Sequence, residues 1–566
     1  ASAPLAGALH QFGLTEERAG YRFIDKVSDA SKQAAREARE QTRTSLNELR
    51  AIDRESLPAR DKVTYDVVAT AWANNLASAE FEVGGGAGAP YVVTQLTGAY
   101  RSMPNFLNEQ HPLRTTDEAE GYVARINGFV GQLEAETGII AEDAAAGVIP
   151  PDFVIDKAIG QLTRFAEGGA NQNLLVQSLV RRLPDAQAIP EASRAGYISR
   201  AETAVRDGVI PAVRRQIEAL QRIRPRATHD AGIWRLPRGA EMYAAALVSR
   251  TTTTMSPDEI HNVGVELIAQ LNGEMDAILR AEGLTRGTVA ERVQEISRRQ
   301  DQLHPNTDAG RDQILADLNA QTREIVAMMP RAFNTLAQAQ LEIKRVPPFT
   351  EAGAPGGYYQ RAALDGSRPG AYFINLRDTA EWPRFTLPTL NYHEGVPGHH
   401  WQISIQQESG SIPFIRSAML GFSAFSEGWG LYAEQLADEL GAYQNNRLGR
   451  LGYLQSATFR ASRLVCDTGL HAKRWTREQA IQSMMQATGD LESSVTTEIE
   501  RYCVQPGQAC AYMIGRQAIN RIRQQSRTTL GARFDLKAFH DTMLANGAVP
   551  LSVLERVLAD WAAAQG

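Results

Sequence analysis

Apolar residues at steps of three and four recur along most of this chain, and that spacing commits it to an α-helical fold. The clearest case begins at Ser256-Pro257-Asp258-Glu259, which reads as a capping box with proline at the first helical position. Behind it Ile260, Val263, Leu267, Leu271, Met275 and Ile278 make one stripe of a long helix ending near Gly283. Thr476 with Gln479 opens another helix, bearing Ile481, Met484 and Met485. Similar periodicity covers 58–82, 116–146, 187–222, 308–338, 427–440 and 535–563, and each stripe reads as core. Strand patterns are few. Leu341 to Val346 alternates before Pro347-Pro348, while Tyr358-Tyr359 and Ala371 to Asn375 flank the turn-rich Asp365-Gly366-Ser367-Arg368-Pro369-Gly370. The expected fold is mainly α, a large helical body with a small sheet between about 340 and 377.

Composition narrows what such a body does. With 566 residues, 43% hydrophobic and 22% charged, the chain is an ordinary globular sequence rather than a disordered one. Its net charge of −6 lacks the basic excess of a nucleic-acid binder. No apolar run reaches the roughly 18–20 residues of a membrane span. Cys503 and Cys510 flank a short Pro-Gly loop, a spacing that fits either a small disulfide or two buried thiols, and Cys466 is the third cysteine. The opening ASAPLAGALH lacks the basic start and apolar core of a signal peptide. It reads as a mature end left by cleavage or as a bare chain boundary. A removed leader and a disulfide would together fit a periplasmic or secreted protein.

Three of the ten histidines fall in Asn391-Tyr392-His393-Glu394-Gly395-Val396-Pro397-Gly398-His399-His400. Neutral imidazoles bind zinc, and a carboxylate beside the first ligand can act as base toward water. The usual helical form, H-E-x-x-H, is absent, because position 397 is proline. On a straight helix His399 would lie roughly 120° around from His393, and His400 would return to the same face only about 10 Å further on. Neither could share one ion with His393, so the helix must break between the ligands. Pro397-Gly398 supplies the means. Downstream, Ser426-Glu427-Gly428-Trp429-Gly430-Leu431-Tyr432-Ala433-Glu434 reads as a helix start with Ser426 as cap. Glu427 offers a carboxylate as third ligand, leaving a fourth position open as in catalytic sites. Glu434, two turns on, is placed to hold a ligand histidine.

HEGVPGHHWQ followed by SEGWGLYAE resembles the bacterial family catalogued as domain of unknown function 885, whose motif region is similar to the glutamate-type zinc metallopeptidases. The resemblance extends through Tyr358-Tyr359, the 365–370 turn, Arg463 to His471, Glu500-Arg501-Tyr502 and Pro506-Gly507-Gln508-Ala509. It implies a zinc-metallopeptidase-like fold, with 1–335 forming one wall of a cleft, 336–566 forming the catalytic part and the small sheet lying beside the cleft. It also implies zinc hydrolysis, with one zinc expected per chain, but it supplies no substrate; a peptide substrate is the leading reading of the site itself. Gly398-His399 matches the Gly-His pair closing the motif in those peptidases. That match favours His399 over His400 as second ligand and leaves His400 for substrate or support.

Glu394 is then the general base. His471 and Tyr502 are candidates to stabilise a developing oxyanion, with Tyr512 facing substrate. Arg463, Arg501 and Arg516 are candidates to clamp a substrate carboxylate, although an i,i+4 pair of Arg463 with Asp467 is the ordinary alternative. Arg368 in its turn is a further candidate, and the neighbouring strand offers an edge for a peptide. The same machinery would serve an amidase or esterase. A helical peptide-binding protein without turnover is the reading from another class.

Overall fold

The computed structural model describes residues 23–348, 351, 355–363 and 368–565. The ASAPLAGALH opening and Asp365-Gly366-Ser367 lie outside the described residues. In chain order the helices begin with α1 (Lys32–Arg50), α2 (Ala59–Ala79), α3 (Ala99–Glu109), α4 (Thr116–Ala145), α5 (Asp152–Ala166), α6 (Leu174–Arg182), α7 (Glu191–Ala204) and α8 (Ile210–Ile223). They continue with α9 (Gly239–Thr251), α10 (Pro257–Ala281), α11 (Val289–Ser297) and α12 (Asp308–Met328). Three strands follow, β1 (Leu341–Arg345), β2 (Gly357–Gln360) and β3 (Gly370–Ile374). The chain then runs through α13 (Leu387–Glu394), α14 (His399–Glu408), α15 (Ser423–Leu440), α16 (Arg447–His471) and α17 (Arg477–Thr488). It closes with α18 (Glu492–Val504), α19 (Ala511–Leu530), α20 (Leu536–Ala545) and α21 (Leu551–Ala564).

The chain forms two compact units. One joins Leu76–Met242 to the chain up to Ser45, and the other joins Leu46–Asn75 to Tyr243–Gly566. In this division α10 to α12 belong with the second unit. The long apolar face of α10 explains this, since it packs on α16, where a side chain on Gly264 would meet Leu464 and Val465. The first unit has its own core, in which Tyr122, Ile126, Phe129 and Leu133 of α4 pack with residues of α5 to α8.

Both capping boxes stand, with the Ser256 and Thr476 side chains each accepting from the backbone N–H three residues on. Four expected helices have different limits. The 187–222 run is interrupted by a π-helical turn at Val205–Val209. The 308–338 run stops at Met328, where Pro330 cannot donate the next helical hydrogen bond. The 535–563 run is two helices, the second starting behind Pro550. The 427–440 helix starts at Ser423, so Ser426 lies inside it and is no cap.

The sheet has the order β1-β3-β2, with β1 parallel and β2 antiparallel to β3. Tyr372 sits at its centre, opposite Ile343 and Tyr359. Together with Ile374 and Leu376 it packs on Ile314 and Leu318 of α12 and Leu387 of α13. The sheet therefore buttresses the helix that carries the His-Glu pair.

Candidate metal centre

The helix breaks where Gly395 to Gly398 intervene. α13 ends at Glu394 and α14 begins at His399. Between them the Val396-Pro397 peptide is cis. The carbonyls left over at this break are not orphaned, because the buried Trp429 indole N–H donates to Pro397 O at 2.9 Å and to Gly398 O at 3.3 Å. No Cβ would fit at residue 398, where one would lie 1.9 Å from His393 O.

The break brings His399 alongside His393, their ring centroids 4.7 Å apart and nearly perpendicular. Glu427, in the second turn of α15, closes the triad. Its Oε2 lies 3.5 Å from His393 Nε2 and 3.3 Å from His399 Nε2. The three donor atoms all fall within 4.8 Å of one another. His393 is buried, whereas His399 and Glu427 are half-buried, so the triad is open on one side.

The face of α15 is cut to fit. Glu427, Gly430 and Glu434 recur at helical spacing, and a Cβ on Gly430 would stand 2.6–3.0 Å from the His393 ring. Glu434 accepts from His393 Nδ1 at 2.8 Å, which fixes the ring's orientation and turns Nε2 toward Glu427. Ser456 of α16 donates to the other Glu434 oxygen at 3.1 Å, and Arg460 donates to Ser456 at 2.8 Å.

Burial would lower the His393 pKa, but Glu427 and Glu434 outweigh it and raise it to about 9. Burial would raise Glu427, yet hydrogen bonds from His393 and His399 hold it well below the usual carboxylate range. Two imidazoles and a carboxylate, one imidazole backed by a second carboxylate, form the donor set of an open zinc site, so these residues fit the ion.

Glu394 is buried one residue after the first histidine, and among the described residues no hydrogen bond or ion pair engages its carboxylate. Tyr372 is fully buried with an unpartnered hydroxyl. Burial, and then the Glu394 charge, push that phenol well above its ordinary pKa.

His400 turns elsewhere. Its Nε2 donates to Ala339 O at 3.0 Å, and its Nδ1 pairs with the Tyr359 hydroxyl at 3.1 Å. Burial pushes its pKa down to about 4, which keeps it neutral. Of the two roles expected for it, substrate or support, these contacts fit support: it links the chain before β1 to β2.

The remaining candidates separate. Arg463, Arg501 and Tyr502 gather around Glu498, and the Arg463 guanidinium stands over the Tyr512 ring. Arg463 lies 3.2 Å and Arg501 2.8 Å from that carboxylate, and the Tyr502 hydroxyl donates to it at 3.0 Å. Arg463 therefore pairs with Glu498 and not with Asp467, which accepts instead from Tyr243 and the Gly507 N–H. His471 is buried, its Nε2 donating to Tyr502 O at 3.0 Å. Arg516 bonds Gln435 and Tyr453. Arg368 is half-buried in its turn, near Pro369 O at 3.4 Å. Cys466, Cys503 and Cys510 are free, buried thiols, so the small disulfide does not form. The Cys503 thiol instead donates to Ile499 O at 3.2 Å inside α18.

Sequence reasoning missed Gly430, Trp429, Tyr372, Ser456 and Glu498. Only Gly430 left a signal, three residues after Glu427 on the ligand face.

Residues 12–558 match the family described as "Bacterial protein of unknown function (DUF885)". No curated protein matches the chain. Among solved structures, one described as the putative lipoprotein from Colwellia psychrerythraea is 35% identical, covers 99% of this chain and 96% of its own, and superposes with a TM-score of 0.95. A putative lipoprotein of unknown function from Shewanella oneidensis is 17% identical over 98% of this chain and 96% of its own, with a TM-score of 0.74. It shows the fold alone. A putative oligoendopeptidase F from Bacillus anthracis, at 12% identity over 93% of this chain and 96% of its own, has a TM-score of 0.27 and carries no argument. What stands is a mainly helical fold with a small sheet.

Proposed function

This chain belongs to the bacterial family DUF885, and from the geometry of His393, His399 and Glu427 we propose that it is a zinc-dependent hydrolase cleaving peptide bonds. The observation that carries the reading is an open triad of two imidazoles and a carboxylate with an unengaged glutamate next to its first histidine. A zinc ion held there would supply electrostatic polarisation of the scissile carbonyl. His393 and His399 present their Nε2 atoms, with His393 oriented by Glu434. Glu394 takes a proton from the attacking water and passes it to the leaving amine, which its lack of other partners leaves it able to do. The Tyr372 hydroxyl, buried beside Glu394 without a partner, is a ready donor to that carboxylate. We further place the protein outside the cytoplasm, a reading supported by the description of its 35%-identical relative as a putative lipoprotein.

Metal analysis and a peptide-library digest read by mass spectrometry test the proposal. The purified protein should hold about one zinc per chain, lost in His393→Ala and Glu427→Ala. Glu394→Gln should keep the metal and lose at least about 10²-fold in turnover. Full zinc occupancy in His393→Ala, or wild-type turnover in Glu394→Gln, would refute it.

A further inference from the structure

α16 carries more buried positive charge than its surroundings neutralise. Arg463 is 6% exposed and shares the single carboxylate of Glu498 with Arg501. Its Nε donates to Tyr502 at 3.1 Å, but its Nη1 is buried with no partner. One turn earlier, the Arg460 Nε is also buried and unpartnered. Three guanidinium groups thus share two carboxylates, Glu498 and Asp490, as counter-charges. Leaving a charged donor unsatisfied in the interior is costly unless a ligand completes it.

This cluster adjoins the metal centre. The Arg463 guanidinium stands 4.2 Å over the Tyr512 ring. Tyr512 lies one turn before Gly515 of α19, where α15 makes its closest approach. A Cβ on Gly428, the residue after Glu427, would meet Gly515 Cα at 2.6 Å. Along α16, Arg463 lies seven residues beyond Ser456, which touches Glu434 behind His393. That separation is about 10 Å along the helix axis. An extended peptide covers it in about three residues.

We propose that the unpartnered donors of Arg463 and Arg460 receive the C-terminal carboxylate of a peptide substrate. The enzyme then removes one to three residues from a free C-terminus. A planar monoanion suits these donors, because a guanidinium fork matches a carboxylate in geometry and charge. The proposal rests on the hydrolase reading for its catalytic step, whereas the anion site stands on these side chains alone.

Calorimetric titration of the full-length Glu394→Gln protein tests it with three N-acetylated tripeptide probes: the free acid, its C-terminal amide, and an amide ending in glutamate. The free acid should bind about 10- to 100-fold more tightly than either amide, the range of a charge-assisted hydrogen bond. Arg463→Gln should bring the acid down to the amide's affinity, while Arg463→Lys should keep part of the difference. Equal binding of acid and simple amide by the parent protein overturns the proposal without recourse to any arginine variant. Binding of the glutamate-ended amide as tightly as the acid overturns the C-terminal assignment in favour of an acidic side chain. Zinc-dependent hydrolysis that is indifferent to C-terminal amidation would sink this inference and leave the hydrolase reading intact. Acid-selective binding without hydrolysis under any metal would do the reverse.

Discussion

Gly430 shows how much of the metal centre depends on an atom that is absent. Its missing Cβ is the space in which the His393 ring lies. Gly430→Ala should therefore displace a ligand without deleting one, and weaken zinc binding by at least about tenfold, the scale of losing a supporting contact around a metal. Competition with a chromophoric chelator measures this, and unchanged affinity would remove Gly430 from the argument. Glu434→Gln makes a complementary test. It keeps the shape but weakens the hold on the His393 Nδ1–H, so affinity should fall about 10- to 100-fold with all three ligands present. The triad stood out in the sequence because two histidines and a glutamate in such spacing are rare, whereas the space Gly430 clears for a ring shows only faintly, in its position three residues after Glu427. Between the adjacent histidines, which are chemically alike, the expectation favoured His399, and that residue joins the triad. What separates them is position after the break: His399 opens α14 toward the triad, and His400 is carried round to Ala339 and Tyr359.

Among the elements, the interrupted α13–α14 pair was legible from arithmetic, since no straight helix puts residues 393 and 399 on one ion. The agent that holds the break was not legible. Trp429 is one more aromatic on an apolar stripe until the fold points its indole N–H at Pro397 O. Trp429→Phe keeps the ring's bulk and removes the donor, and should cost about 1–3 kcal/mol of stability by leaving a buried carbonyl unpaired. Chemical denaturation would read this, and a loss below about 0.5 kcal/mol would mean that the carbonyl finds another donor. The sheet was also readable, because alternation and Pro-Gly punctuation are local. The limits of the 187–222 and 535–563 helices were not, as a π-helical turn and a short Pro550 linker barely disturb an apolar period. The cysteine loop failed for a similar reason. Seven residues of spacing permit a bridge, but the folds of α18 and α19 bury each thiol in its own place.

At the scale of the molecule, the two units hold buried groups whose titrations oppose each other. In the first unit, Glu136 accepts from the Ala99 N–H at 2.7 Å and from Gln216 at 3.2 Å, and burial raises its pKa from 4.5 to about 7. A raised carboxyl penalises the folded state fully above pH 7, progressively less between 7 and 4.5, and not at all below. Glu136→Gln should therefore stabilise the protein above pH 7, by on the order of 1–3 kcal/mol, with the gain gone below pH 4.5. Gln216 Oε1, which lacks a partner, can turn to accept from the new amide. In the second unit, His540 accepts from Tyr432 at 2.8 Å and donates to Ala332 O at 2.9 Å, and burial lowers its pKa from 6.5 to about 3. Its contribution is intact above pH 6.5 and lost as acid approaches 3, because the unfolded chain takes up the proton first. Thermal melts from pH 4 to 8 on Glu136→Gln and on His540→Gln would separate the two slopes, and curves parallel to the parent's would show that neither group carries them.

The triad draws its ligands from three successive helices, α13 to α15, all inside Tyr243–Gly566. Any opening of the chain that parts these helices must first release the ion. At a free-metal concentration of 100 times Kd, such openings become about 100-fold rarer, a linkage worth about 2.7 kcal/mol. Openings confined to Leu76–Met242 release nothing and keep their frequency. If the triad holds an ion, its supply would thus set the lifetime of one part of the fold against proteolysis, and cleavage in the α13 to α15 region would become a gauge of how much ion the surroundings provide.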